Sequence, residues 1–165
     1  MLAESPTGSP AGEEVAMALT LEDREAIRDL FARQNLAYDR REAERTAAMF
    51  TEDGVLELIG PDWAFRHEGR EGLETYMRRL FEVTGDDYRH WTNSLAIEAV
   101  EGAPDEARVE CYIAAWGMSD GVFRLAGRYF DHLRRVDGEW KFAHRRYEGE
   151  WMHPDQGAVR DELSE

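Results

Sequence analysis

The C-terminal half of the chain is cut by turn chemistry into four long runs of strand-forming residues. No other feature constrains the fold as much. Residues 88–101, 107–118, 122–136 and 139–148 are rich in β-branched and aromatic side chains. Gly102-Ala103-Pro104-Asp105, Asp120-Gly121 and Asp137-Gly138 separate them. Asp-Gly between two such runs favours a tight hairpin, because the turn needs residues that tolerate positive φ. The runs therefore predict an antiparallel meander. Such a sheet commonly buries one face and needs a second layer to cover it.

The N-terminal half supplies that layer. Thr20, with Asp23 three residues on, predicts a helix start with a reciprocal cap. Ile27, Leu30, Phe31, Gln34 and Tyr38 follow at helical spacing, a stripe whose C-terminal end turns polar. Asp39-Arg40-Arg41 breaks it. A short helix is expected at about 42–50, a turn at Thr51-Glu52-Asp53-Gly54, a strand from Val55 to Ile59, and a second short strand from Ala64 to Glu68. Gly69 to Val83 predicts a third helix with the stripe Leu73, Tyr76, Met77, Leu80 and Phe81, ended by Gly85-Asp86. Helices first and a meander last predict an α+β fold. In it, N-terminal helices pack on one face of a strongly curved, mixed or antiparallel sheet that encloses a pocket.

A chain of 165 residues is one domain, long enough to build a core without staples. Residues 1–18 are expected to be a disordered arm, 19–154 the folded domain and 155–165 a polar tail. The net charge of −15 argues against nucleic acid or an anionic membrane as partner. Cys111 is the single cysteine, which excludes an internal disulfide and a cysteine zinc cluster. No apolar run is long enough to span a membrane, and the N-terminus lacks the basic-then-apolar order of a signal peptide. The cytoplasm is the expected location.

Three segments carry candidate chemistry. Gln34 and Tyr38 lie one turn apart at the polar end of the first helix, with Asp39 closing it. Either Tyr38 packs and Asp39 ends the helix, or both face a site. His90 opens the first long strand between Arg89 and Trp91, where it is a surface side chain, a satisfied core residue or a base. An aspartate on a helix packed against that strand would fix the imidazole tautomer and leave Nε2 free to take a proton. In the last strand, alternation places Trp140, Phe142 and His144 on one face and Lys141, Ala143 and Arg145 on the other. Arg145 then either enters the pocket or is a solvated charge. Trp63, Trp91, Trp116 and Tyr129 are candidate lining. His67, His132, His144 and His153 show no metal-ligand spacing, and there is neither a Walker-type loop nor GxGxxG, so no metal and no cofactor are expected. Cys111 reads as a packing residue. Asp131 and His132 alternate across their strand, so only one of them faces the pocket.

Four pieces of text carry a resemblance. They are Arg24-Glu25-Ala26-Ile27-Arg28-Asp29-Leu30-Phe31, Tyr38-Asp39-Arg40-Arg41-Glu42, His90-Trp91-Thr92-Asn93, and Gly127-Arg128-Tyr129-Phe130-Asp131 running into Asp137-Gly138-Glu139-Trp140-Lys141-Phe142. Over about residues 20–154 the chain resembles the SnoaL-like branch of the nuclear transport factor 2 superfamily. Within it, the scytalone dehydratase and lindane dehydrochlorinase families are most similar. The resemblance implies a cone-shaped α+β fold, and His90 as general base with Asp39 as its partner. It also implies substrate contacts from Tyr38 and Arg145. Gln34 stands where the dehydrochlorinases have a lysine. Leu58 falls near a second pocket tyrosine of the dehydratases, and Gly127 and Tyr129 replace their serine and asparagine pair. Tyr112 to Gly117 offers no second pocket histidine. The implied function is a cofactor-independent lyase acting on a small apolar or aromatic molecule. An isomerase or polyketide cyclase using the same pocket, and a non-catalytic binding or assembly domain, are the alternatives. A homo-oligomer, trimer or dimer, is implied as well.

Overall fold

The computed structural model describes residues 19–84, 87–154 and 156. The expected N-terminal arm, the Gly85-Asp86 turn and the tail other than Gln156 lie outside the described residues. Three helices, α1 (Leu21–Asp39), α2 (Ala43–Ala48) and α3 (Gly69–Thr84), pack on a six-stranded sheet. Its strands are β1 (Phe50–Ile59), β2 (Ala64–Glu68), β3 (Tyr88–Val100), β4 (Ala103–Gly117), β5 (Phe123–Val136) and β6 (Glu139–Met152), in spatial order β2-β1-β6-β5-β4-β3. β3 to β6 form the expected meander. β1 joins β6 in parallel, so the sheet is mixed, and β2 and β3 remain as its two edges. The expected α+β architecture is the one observed.

Local chemistry explains α1 well. The Thr20 hydroxyl accepts from the Asp23 backbone N–H at 3.0 Å, and Asp23 accepts from the Thr20 backbone N–H at 3.1 Å, the reciprocal cap expected from sequence. Asp23 also receives Trp140 Nε1–H at 3.2 Å, which ties the helix start to β6. The stripe Ile27, Leu30, Phe31 and Gln34 is buried. The helix stops because Arg41 takes φ = 61°. The Glu42 N–H then reaches Ala37 O and the Arg41 N–H reaches Tyr38 O, both at 3.0 Å, a Schellman closure built on a non-glycine residue. The Arg41 guanidinium bonds Thr84 Oγ1 at 2.9 Å and lies over Phe81, fastening the end of α1 to α3.

Of the register shifts in the sheet, two bear most directly on the residues singled out from sequence. In β3 the register shifts between Asn93 and Ala96, with Ser94 at φ = 55°. Tyr88, His90 and Thr92 therefore face the helices before the bulge, and Leu95 and Ile97 after it. In β6 the pairing passes from Leu133↔Phe142 to His132↔His144, so Ala143 is the extra residue. This corrects strict alternation: Trp140 and Phe142 share the inner face with Arg145 and Tyr147, while His144 points outward beside Glu57. The Thr51 to Gly54 segment, expected as a turn, belongs to β1. It is an irregular stretch between the pairs Phe50↔Phe142 and Val55↔His144. The core is one cluster in which Ile27, Leu30 and Phe31 of α1 and Leu73 and Met77 of α3 meet Val109, Cys111, Leu133 and Phe142 of the sheet. No described helix is long and apolar enough to cross a membrane.

Candidate active site

Contacts along α1 set its height against β3. Arg24 Nη1 donates to Ile97 O at 2.8 Å, and Asn35 Nδ2 donates to Thr92 Oγ1 at 3.0 Å. One turn further on, Asp39 meets His90. The His90 backbone N–H donates to Asp39 Oδ2 at 3.2 Å, and His90 Nδ1 lies 2.6 Å from Asp39 Oδ1. A carboxylate can only accept, so Nδ1 carries the hydrogen and Nε2 keeps its lone pair. Both side chains are about nine-tenths buried. Tyr38 packs edge-on against the imidazole, with centroids 4.8 Å apart, and against Phe81 at 5.0 Å. Two residues remote along the chain are thus held together by the closure of one helix and the opening of one strand.

His90 lines a cavity of about 120 Å³ between the helices and the concave face of the sheet. Asp39 does not line it, and with Nδ1 held by Asp39 the ring nitrogen left for a substrate is Nε2. Tyr38, Leu58 and Tyr129, three of the residues singled out from sequence, line it too. Trp63 and Phe65 close one side, and Tyr76, Leu80 and Thr84 of α3 another. Among the described residues lining the cavity, none is Asp, Glu, Lys or Arg. Burial pushes the phenols of Tyr38, Tyr76 and Tyr147 well up and that of Tyr129 up to about 12. These hydroxyls therefore remain hydrogen-bond donors at any ordinary pH.

Four of the residues expected at the site lie elsewhere. Arg145 is on the inner face but beneath the cavity wall. Its Nε and Nη2 donate to Asp131 Oδ1 and Oδ2 at 2.8 and 2.9 Å, and its guanidinium lies 4.0 Å from the ring centroids of both Tyr129 and Phe142. Gln34 is buried on α1 and does not reach the cavity lining. Trp91 and Trp116 sit on the outer face, edge-to-face at 5.1 Å, because odd positions of β3 and even positions of β4 point away from the helices there. Asp131 faces inward and His132 outward, as alternation required. Cys111 is buried, and its thiol is pushed up to about 12 by that burial.

Several lining residues carried no sequence signal of function. Tyr76 read as one member of an apolar helix stripe. Tyr147 turns inward only because of the Ala143 bulge, and its ring lies against Gly127, where a Cβ would stand 2.8 Å from Tyr147 Cε2 and 2.2 Å from Glu148 O. Gln156, in the expected tail, is buried against the cavity and donates through Nε2 to Tyr88 Oη at 2.9 Å. Among the described residues, no cluster of three or more His, Cys, Asp or Glu could hold a metal ion.

Comparison with known proteins places this geometry in context. No curated protein matches the sequence. Among solved structures, a variant of Rv3472, a protein of unknown function from Mycobacterium tuberculosis, is 27% identical; the alignment covers 88% of this chain and 92% of that one, with a TM-score of 0.72. A scytalone dehydratase-like protein from Novosphingobium aromaticivorans is 24% identical over 81% of this chain and 87% of its own, with a TM-score of 0.66. LinA is 23% identical over 81% and 90%, with a TM-score of 0.67. At these identities the last two speak for the fold alone. The SnoaL-like domain family matches residues 19–146, which include α1, the dyad and nearly all of the sheet up to Arg146. The chain belongs to the SnoaL-like domain family.

Proposed function

We propose that this protein is a cofactor-independent lyase that removes a proton from carbon with His90. The observation that carries the reading is the 2.6 Å contact between His90 Nδ1 and Asp39 Oδ1 at the edge of a largely apolar cavity. His90 Nε2 takes the proton, and the C–H electron pair becomes the new carbon–carbon double bond as the leaving group departs from the neighbouring carbon. Asp39 holds the tautomer and stabilises the imidazolium, which then gives its proton to the departed group or to water. The phenol of Tyr38, beside the imidazole, donates to an oxygen of the substrate. Arg145 takes no part in this reading, because it does not line the cavity and its Nε and Nη2 are held by Asp131. Trp63, Phe65 and Leu58 supply an apolar wall that favours a small apolar or aromatic molecule.

A binding or assembly module without catalysis would have no need of the fixed tautomer. Isomerisation or cyclisation would begin with the same proton abstraction. The outer-face aromatics Trp91, Trp116, Phe123 and Trp151, two of them strongly exposed, support a homo-oligomer, and sedimentation equilibrium measures its order.

The test is turnover of candidate carbon acids followed by mass spectrometry. His90→Ala and Asp39→Ala are each expected to lose about 10²–10⁴-fold in rate while keeping the fold. Product lighter by water or an acid marks elimination, and unchanged mass marks isomerisation. Full activity in either variant rejects the base.

A further inference from the structure

The cavity also has a size and a charge. Its volume of about 120 Å³ is close to that of an engineered apolar cavity, about 150 Å³, that takes up one benzene. Among the described residues no Asp, Glu, Lys or Arg lines it, and His90 is its one imidazole. The buried cation Arg145 is paired through two hydrogen bonds with Asp131 and lies behind the Tyr129 ring. Arg41 and Arg124 lie 5.8 and 5.7 Å from the Tyr88 ring centroid and do not line the cavity. The closest formal charge to the imidazole is a negative one, Asp39. An anion entering here would lose its water and find no Lys or Arg on the cavity wall to pair with, since Arg41 reaches only the far side of Thr84. Besides His90, the polar groups that line the cavity are neutral: the phenols of five tyrosines, Tyr38 and Tyr129 among them, with Trp63, Thr84 and Gln156.

We infer that the cavity selects an uncharged cyclic ketone of one six-membered ring, for which phenol is an unreactive analogue of like size, and rejects carboxylates and fused bicyclic rings. This deepens the lyase reading and rests on it only in taking the cavity for the substrate site. A single ring fills the volume, one of the phenols holds the oxygen, and His90 Nε2 faces a ring carbon. Negative charge developing on that oxygen is then met by donors that burial keeps protonated.

The test is ligand-observed NMR titration of the full chain with phenol, cyclohexanone, benzamide, benzoate and 1-naphthol. Benzamide and benzoate differ in charge at nearly equal size. Benzamide is expected to bind at least tenfold more tightly than benzoate, and phenol at least tenfold more tightly than 1-naphthol. Leu58→Trp and Leu125→Trp, which fill the cavity from two strands, should each abolish phenol binding; loss in whichever variant stays folded localises the site. Benzoate binding as tightly as benzamide, 1-naphthol as tightly as phenol, or no neutral probe binding at millimolar concentration overturns the inference. The same titrations on His90→Ala separate it from the proton-abstraction reading. An inactive His90→Ala protein that binds benzoate and benzamide alike refutes the substrate class alone. An active one that keeps the charge selectivity refutes the base alone.

Discussion

Replacing Asp131 by asparagine tests why Arg145 is not a substrate ligand. The side chains of the pair are 1% and 0% exposed, and the guanidinium is enclosed by Phe31, Tyr129 and Phe142. Asp131→Asn keeps the shape and removes the charge, so no cavity contributes to the effect. Arg145 cannot shed its proton and is left buried without a counter-charge. Breaking a buried pair from one side costs about 3–5 kcal/mol. At about 2–4 °C per kcal/mol for a chain of this length, the melting temperature should fall by about 6–20 °C. Replacing both partners, Asp131→Leu with Arg145→Met, should recover most of that loss, since an apolar pair of similar volume removes the desolvation penalty along with the attraction. Urea and thermal unfolding of the three proteins, followed by far-UV circular dichroism, measure the free-energy and melting-temperature differences. A single variant that loses less than about 1 kcal/mol, or a double variant no more stable than the single one, would mean that water reaches the guanidinium and that Arg145 is free to meet substrate.

Further outcomes follow from the same geometry. Gly127→Ala should destabilise by about 1–3 kcal/mol in chemical unfolding, because the new methyl meets Glu148 O and the Tyr147 ring and no rotamer relieves it. Thr20→Ala should cost about 1 kcal/mol in the same assay through loss of the α1 cap. Burial alone would raise the Asp23 carboxyl, but hydrogen bonds from Thr20 and Trp140 and the nearby Arg135 outweigh it and hold it below 3.8. Its contribution to stability is therefore complete above the unfolded value and lost as pH falls through the lower folded one, so Asp23→Asn should flatten the acid limb of stability below about pH 4. In a spectrophotometric titration, the absorbance that Tyr129→Phe removes should appear only near pH 12.

Much of the architecture was legible from local rules. The reciprocal cap at Thr20, the α3 stripe and the Asp-Gly turns depend on residues within a few positions of one another, and each element stands where those residues required it. Pairing within the meander followed from turn length. The parallel docking of β1 on β6 did not, because it depends on where α2 and α3 return the chain.

The candidate site divides in the same way. Residue types and spacing singled out His90, Asp39 and Tyr38, since a polar end to a helix stripe and a histidine at a strand start are local departures from pattern. Their meeting is tertiary: the Schellman closure at Arg41 stops α1 at Asp39, and the Asn35–Thr92 contact sets it level with His90. The fate of Arg145 is tertiary too. Alternation assigned it to the face opposite Phe142, and one extra residue at Ala143 turned it inward to Asp131. A bulge reverses every later side chain at the cost of a single residue, and it leaves no periodic trace to read. The kinds of chemistry this chain can perform are written in its residues, whereas which of them share one cavity depends on strand register and helix closure, which only the folded chain resolves.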